Sequence, residues 1–594
     1  MMYDVIIIGG GPAGMSAATV LGDRVKTLII DENDRLGGQL VKQTHKFFGD
    51  HEHYASTRGF EIADKLLKEI QKKPVEISPS STVIGIYPQN TVAYVKDGQI
   101  QKVQYKKLLL ATGAMERQLP FVNSDLPGVY GAGAIQTLMN QYGIFPGKRF
   151  LIVGSGNIGL ILAYQLAQTG VEVKMILEAL DKVGGYEVHA NKVRRLGIPI
   201  LTGHTIVKAI GDEKVEGAVI ANVDKNFNTV KGTEREVVVD TICVAVGLTP
   251  LIELAEQSGA KVSYIPELGG YVPLRDERMR TTNHDVFVAG DLSSIEEATT
   301  AMMEGKIAAM QIFEDLTGES LEDKILYDLN SLVIFRSGPK SSKIRTGLEK
   351  MGINFPKIDI PKSQKFEKYD DSKLHAVIEC NEEIPCNSCE YACKFDAIKV
   401  GSNINSVPSF DPSKCTGCAV CVTACPGLAI FMKKVDGKTA TLGIPYEFLP
   451  LPKMDDVMWG IDREGNYVCD VKVKRVVKNP NKTNIVYVEL PSEFVDMVRH
   501  VKYQSKESPY VCRCEEVTLD EIEKVIDSGI TDFEELKRLT RVTMGPCNGK
   551  NCKMVVLGIL SKKTGIPISS LSHGTSRPPT KPVEFKVFLK EGEK

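Results

Sequence analysis

Strong charge of either sign is missing from this sequence. Its 594 residues carry a formal net charge of −2, which gives no electrostatic reason to expect nucleic acid or an anionic membrane as a partner. No uninterrupted apolar run reaches the length needed to span a bilayer. The start, Met1-Met2-Tyr3-Asp4, enters a strand pattern directly, without the basic segment, apolar core or cleavage site of an export signal. The expectation is a cytoplasmic protein. No P-loop, zinc-protease helix or Ser-His-Asp set is present. The first 242 residues contain no cysteine, and Cys243 stands alone inside the apolar run 242–246. That absence disfavours dithiol reduction in the first half, and Cys243 reads as a small buried hydrophobe.

What is present is cysteine in runs. Fourteen cysteines without an export signal argue for metal or redox chemistry rather than a disulfide framework. Cys415, Cys418, Cys421 and Cys425, followed by Pro426, form C-x2-C-x2-C-x3-C-P, the bacterial ferredoxin spacing for [4Fe–4S] clusters. Three thiolates on one tight loop meet three irons of one cube, and the fourth points to a neighbouring cluster. Cys380, Cys386, Cys389 and Cys393 make a looser C-x5-C-x2-C-x3-C run, with Lys394 in place of the usual Pro. Crossed ligation would give one cluster Cys380, Cys386, Cys389 and Cys425, and the other Cys415, Cys418, Cys421 and Cys393. Two cubanes are expected, with a single cubane as the lesser reading and structural zinc as the alternative chemistry.

The first half holds two nucleotide signatures. A buried-strand run at 5–8 leads into Gly9-x-Gly11-x-x-Gly14, a helix follows from Pro12, and a second strand ends at Asp31. Gly9 permits the tight turn, Gly11 lets a pyrophosphate approach the backbone, and Gly14 lets helix and strand pack closely. The helix N-terminus offers free N–H groups to phosphate, and Asp31 can accept from a ribose hydroxyl. The pattern repeats at 150–153, with Gly154-x-Gly156-x-x-Gly159, a helix, and a strand ending at Glu178. An acid there favours NAD over NADP, because a carboxylate repels a 2′-phosphate, and no Arg cluster follows. A unit kept only for packing is the alternative at this second site. His45 reads as a surface or hydrogen-bonded histidine without an assigned role.

Three further stretches resemble the flavoproteins built on two dinucleotide domains. They are Leu36-Gly37-Gly38-Gln39, the strand 108–111 ending at Thr112-Gly113, and the segment 282–291 ending in Gly290-Asp291. The resemblance implies FAD at the first site, with Gly38, Gln39, Thr112 and Gly113 near it and Asp291 on the ribityl chain. Near the C-terminus, Cys512-x-Cys514 and Cys547-x4-Cys552 flank two helices, with capping boxes read at Thr518-x-x-Glu521 and Thr531-x-x-Glu534 and a stop at Gly529. These spacings resemble the bacterioferritin-associated-ferredoxin-like domain, which implies a [2Fe–2S] cluster; zinc or mononuclear iron also suits four thiolates.

Together these parts resemble the alpha subunits of dye-linked L-proline dehydrogenases and are similar to sarcosine oxidase alpha, opine oxidase and hydrogen cyanide synthase subunits. The expected fold is α/β: Rossmann-like FAD and inserted NAD domains, a ferredoxin-like iron–sulfur domain, a small β-rich segment and a small helical [2Fe–2S] domain. Expected boundaries are 1–125 with 280–320 (FAD), 126–279 (NAD), 321–372 (linker), 373–433 (ferredoxin-like), 434–505 (β-rich), 506–565 ([2Fe–2S]) and 566–594 (tail). The resemblance implies the electron-transfer subunit of a heteromeric amino- or imino-acid dehydrogenase, using FAD, NAD(H) and the clusters beside a smaller flavoprotein subunit. A self-contained NADH-dependent reductase of a ferredoxin-type acceptor is the alternative, and a docking module for an iron-storage protein is the non-enzymatic one.

Overall fold

The computed structural model describes residues 1–22, 24–361, 370–503, 509–575 and 582. Two compact units divide the chain, Met1–Tyr503 and Gln504–Lys594.

In the first unit, the apolar run Met2–Ile8 becomes the centre of a seven-stranded sheet, between Thr27–Ile30 and Gln99–Leu110. Its register is parallel, with Ile8 beside both Ile30 and Leu110, and Val286–Val288 pairs on the far side of Gln99–Leu110. Val5, Ile6 and Ile7 are fully buried, as expected for parallel strands covered on both faces. Helix Pro12–Leu21 packs against Ala298–Thr317. The approach is close: a Cβ at Gly305 would lie 2.1 Å from the Ala13 carbonyl oxygen.

A second parallel sheet runs in the order Ile200–Thr202, Glu172–Glu178, Arg149–Val153, Thr241–Val244, Val129–Gly131. Cys243 is buried in its middle strand pair, where burial pushes the thiol well above its ordinary pKa. The chain crosses between the two sheets on an antiparallel ribbon, Ala114–Glu116 with Leu248–Pro250. Residues 251–279 were expected in the NAD domain, but they pack elsewhere. Ala255 and Ala260 join the core of the first sheet, and Gln257 accepts the Ile86 N–H at 3.1 Å.

The expected linker 321–372 likewise opens with structure. Helices Glu322–Phe335 and Ser342–Lys350 form there, and Leu332 and Phe335 enter the core of the first domain. The sequence looked polar because only one stripe of each helix is buried.

The cysteine runs and the β-rich segment share one antiparallel sheet. Its order is His375–Ile378, Ile430–Asp436, Thr439–Tyr446, Asn484–Pro491, Tyr467–Val477, Val457–Ile461, His500–Lys502. The runs are thus an insertion between the first two strands, and the expected boundary at 433 falls inside Ile430–Asp436. Cys469 is buried in the same sheet's core.

The second unit holds helices Leu519–Asp527, Phe533–Thr540 and Lys553–Thr564 around Ile522, Phe533, Leu536 and Leu557. Thr518 and Glu521 cap reciprocally, and Gly529 follows the first helix at φ 101°. The next cap is Asp532, which accepts the Glu535 N–H at 2.9 Å, rather than Thr531. Glu534 turns instead to the Thr575 N–H at 2.7 Å.

Candidate functional site

The first glycine turn is shaped by what each added carbon would meet. A Cβ at Gly9 would lie 2.2 Å from the Ala111 carbonyl oxygen, and one at Gly14 2.0 Å from that of Gly9. At Gly11 nothing of the protein lies within 4 Å. The first and third glycines are therefore required by the fold, whereas the space at the second is open for a ligand. Asp31 accepts the Gly10 N–H at 2.6 Å and the Asn33 N–H at 2.8 Å, which fixes its carboxylate at the end of the second strand. Gly37 donates to the Gly10 carbonyl at 2.8 Å, which lays Gly38 and Gln39 beside the turn. Thr112 donates to the Leu251 carbonyl at 3.2 Å, and Gly113 (φ 71°) has open space around it.

Asp291 lies beside this turn, since a Cβ on its neighbour Gly290 would sit 3.2 Å from that of Ala13. Burial lifts its carboxyl to about 7, and the nearby Glu296, Glu304 and Glu297 add to the shift. Its hydrogen-bond partner is a weak one, the Glu296 N–H at 3.3 Å. The loop is anchored by a buried network that sequence reading missed. Glu304 accepts the Gly290 N–H at 2.9 Å and pairs with Arg275 at 2.8 Å and Arg336 at 2.7 Å. Arg336 lies in the expected linker, so no local pattern announced it.

The second turn repeats this geometry. Cβ atoms at Gly154 and Gly159 would each lie 2.2 Å from a backbone carbonyl oxygen, whereas Gly156 has nothing within 4 Å. Glu178 accepts from Ser155 N–H at 3.0 Å and Ser155 Oγ at 2.5 Å, the counterpart of Asp31 with Gly10. Asn157 donates to Glu297 at 3.0 Å and accepts the Tyr186 N–H at 2.8 Å. The second turn is thereby tied to the N-terminus of helix Ala298–Thr317.

The two ferredoxin runs interleave. Burial raises the Cys389 thiol, and the neighbouring thiols that add most are Cys386, Cys425 and Cys380. Burial pushes Cys421 to about 12, aided by Cys415, Cys418 and Cys393. Cys425 thus lies near the first run and Cys393 near the second, with Cys421 and Cys425 also acting across the two groups. Cys393, Cys415, Cys418 and Cys421 line one pocket, walled mainly by apolar side chains such as Phe395, Phe410 and Met432. Four thiols around an apolar void suit a cubane. Among the described residues, no three His, Cys, Asp or Glu side chains converge as ligands of one metal ion.

The last set pairs off. Cys512 lies in hydrogen-bonding contact with Cys552, and Cys514 with Cys547. The two pairs also act on each other, so the four thiols form one group. Cys512 and Cys552 are buried, whereas Cys514 is exposed.

His45 is neither at the surface nor fully satisfied. It is half-buried, its buried Nδ1 has no hydrogen-bond partner, and desolvation lowers its pKa to about 3.

Residues 3–305 match the family profile of the pyridine nucleotide-disulphide oxidoreductases, 384–429 a 4Fe-4S dicluster domain, and 506–590 the sarcosine oxidase A3 domain. Hydrogen cyanide synthase subunit HcnB of Pseudomonas protegens is 27% identical over 52% of this chain and 70% of its own length. An opine oxidase subunit of Rhizobium meliloti is 27% identical over 53% of this chain and 63% of its own length. The crystal structure of L-proline dehydrogenase from P. horikoshii aligns with 99% of this chain and 80% of that one, at 19% identity and a TM-score of 0.44. No helix among the described residues is long and apolar enough to cross a membrane. The protein is an FAD-dependent oxidoreductase with an iron–sulfur domain. With more than half its length matched, the chain belongs to the pyridine nucleotide-disulphide oxidoreductase family, although it holds no cysteine pair in that half.

Proposed function

We propose that this chain is the electron-transfer subunit of a heteromeric amine or amino-acid dehydrogenase. Its smaller partner would be a flavoprotein that carries out substrate oxidation. The observation that carries this reading is the seating of the cysteine runs on the loop that follows Gly37-Gly38. Asn387, next to Cys386, donates its N–H to Gly49 at 3.2 Å, and Ser56 donates to the carbonyl of Ala424 at 2.7 Å.

A bound flavin supplies exchange between hydride pairs and single electrons, which clusters then accept one at a time. The chain's part is binding and orientation. Gly11 leaves room for a pyrophosphate at the N-terminus of helix Pro12–Leu21, Asp31 accepts from a ribose, and Asp291 accepts from ribityl hydroxyls. Gly156 and Glu178 offer NAD the same arrangement. Cys380, Cys386, Cys389 and Cys425 would hold the cubane nearer the flavin loop. Cys393, Cys415, Cys418 and Cys421 would hold a second, with exposed Cys418 at the surface. Cys512, Cys514, Cys547 and Cys552 would hold a [2Fe–2S] cluster.

The relatives' names, which mark them as subunits of hydrogen cyanide synthase and opine oxidase, support both an amino-acid-like substrate and the presence of a smaller partner. Anaerobic purification from the native host tests the reading. A co-purifying flavoprotein, with amino-acid-dependent bleaching of this chain's FAD, is expected. Isolation of the chain alone, with full NADH-driven reduction of a small acceptor, would replace the reading with that of a self-contained reductase.

A further inference from the structure

Around Cys425, backbone carbonyls are taken by side chains from the nucleotide domains. Lys46 donates to Thr423 at 2.7 Å, Lys192 to Pro426 at 3.4 Å, and Arg195 to Leu428 at 3.3 and 3.2 Å. With these carbonyls turned outward, the N–H of Ala429 lies 3.5 Å from Cys425 Sγ. Lys46 is 3%, Lys192 4% and Arg195 8% exposed.

Buried cations are ordinarily matched by anions. Among the described residues, none of these three has a carboxylate within salt-bridge distance. The carboxylates facing them are engaged by others: Glu447 by Arg58 at 3.1 Å, and Glu379 by Arg499 at 2.6 Å. Lys192 lies 5.0 Å from the Tyr164 ring centre and Arg195 5.3 Å from that of Phe431, which offsets part of the cost. Glu447 is the leading opposite charge on Lys46 and Lys192, and Glu379 acts on Arg195. Cys425 is the one anion common to all three, lying between the carbonyls of Thr423, Pro426 and Leu428 that they bind.

The other cysteine group has different surroundings. Lys399 there pairs with Asp396 at 2.6 Å, and Lys414 with Asp411 at 3.6 Å. Both of these cations are exposed and neutralised.

We propose that Lys46, Lys192 and Arg195 set the reduction potential of the cluster bound through Cys425. Reduction adds one negative charge to a thiolate-bound cluster, so three fixed positive charges at a low-dielectric site favour the reduced state. This cluster is then the higher-potential member of the pair, and the Cys418 cluster the lower. The inference rests on the two-cubane reading of the proposed function.

An anaerobic EPR-monitored redox titration of the holoprotein at pH 7 tests it. Cys418→Ser first identifies which reduction wave belongs to the outer cluster. In Lys46→Met and Lys192→Met, the equilibrium for reducing the buried cluster falls at least tenfold, ~59 mV for one electron. The outer wave stays in place, and Lys46→Arg keeps most of the wild-type potential. Where Lys46→Met loses iron, Lys192→Met decides alone. Unmoved waves at full iron content, equal shifts of both waves, or iron loss from both Met variants would overturn the proposal and leave the cluster reading intact. Wild-type protein without any cubane signal would overturn both.

Discussion

The backbone N–H of Asn387 donates to the carbonyl of Gly49 at 3.2 Å, joining the turn after Cys386 to the loop after Gly37-Gly38. Residues more than 300 positions apart thus share one hydrogen bond between a candidate cluster ligand loop and a candidate flavin loop.

Cys418→Ser removes a candidate ligand of the outer cluster. Anaerobic iron analysis is expected to give about ten irons per wild-type chain, for two cubanes and one [2Fe–2S] cluster. The variant is expected to lose one cubane EPR signal while NADH still reduces the flavin at the wild-type rate. Transfer from flavin to a terminal acceptor should slow. Unchanged transfer after loss of the signal would make the cysteine segment structural.

Gly11→Val is expected to leave the fold intact and remove FAD, since no protein atom contests the space where the side chain points. Its melting free energy without FAD should fall by at most ~1 kcal/mol, the cost of replacing glycine at the N-cap of helix Pro12–Leu21. Gly14→Ala is the opposite case, because its Cβ would sit 2.0 Å from the Gly9 carbonyl oxygen. That variant should lose several-fold more stability. Flavin absorbance and urea melts of both proteins separate the two effects.

Glu178 should make NADH a better reductant of the flavin than NADPH. Its carboxylate is fixed by Ser155 and the Leu180 N–H at 3.0 Å, so it cannot swing away from a 2′-phosphate. Stopped-flow bleaching with each nucleotide reads this directly. Equal rates, or none with either, would remove NAD from the second site.

Asp291 gives the FAD-free protein a pH dependence. Its folded-state pKa is raised from 3.8 to about 7 by burial and neighbouring carboxylates. Between those values the folded state holds a proton that the unfolded state has released. Its contribution to stability is therefore complete below about pH 4, falls as pH rises towards 7, and is flat above. The slope is at most ~1.4 kcal/mol per pH unit. Asp291→Asn should remove that part of the slope in urea melts at pH 5 and pH 7.5; an unchanged difference between the two pH values would show that Asp291 is already ionised.

Sequence by itself determined the local chemistry. Strand, glycine turn and helix at 5–21 and 150–168 were legible because each rests on contacts within some thirty residues, and the spacing of Cys415 to Cys425 is set by a single loop. The Thr518–Glu521 cap was legible for the same reason. Its neighbour was misplaced by one residue, since Thr531 and Asp532 are both good caps and Glu534 was drawn away by Thr575. Only the tertiary structure decided what depends on distant partners. Packing of Leu332 and Phe335 turned an apparent linker into part of the first domain, and Arg336 could be seen as an anchor only once Glu304 stood beside it. The sheet from His375 to Lys502 absorbed a boundary drawn by composition, because strand pairing ignores distance along the chain. Lys46, Lys192 and Arg195 look like ordinary surface cations in sequence. Burial around Cys425 gives them their meaning, and burial is a property of three dimensions.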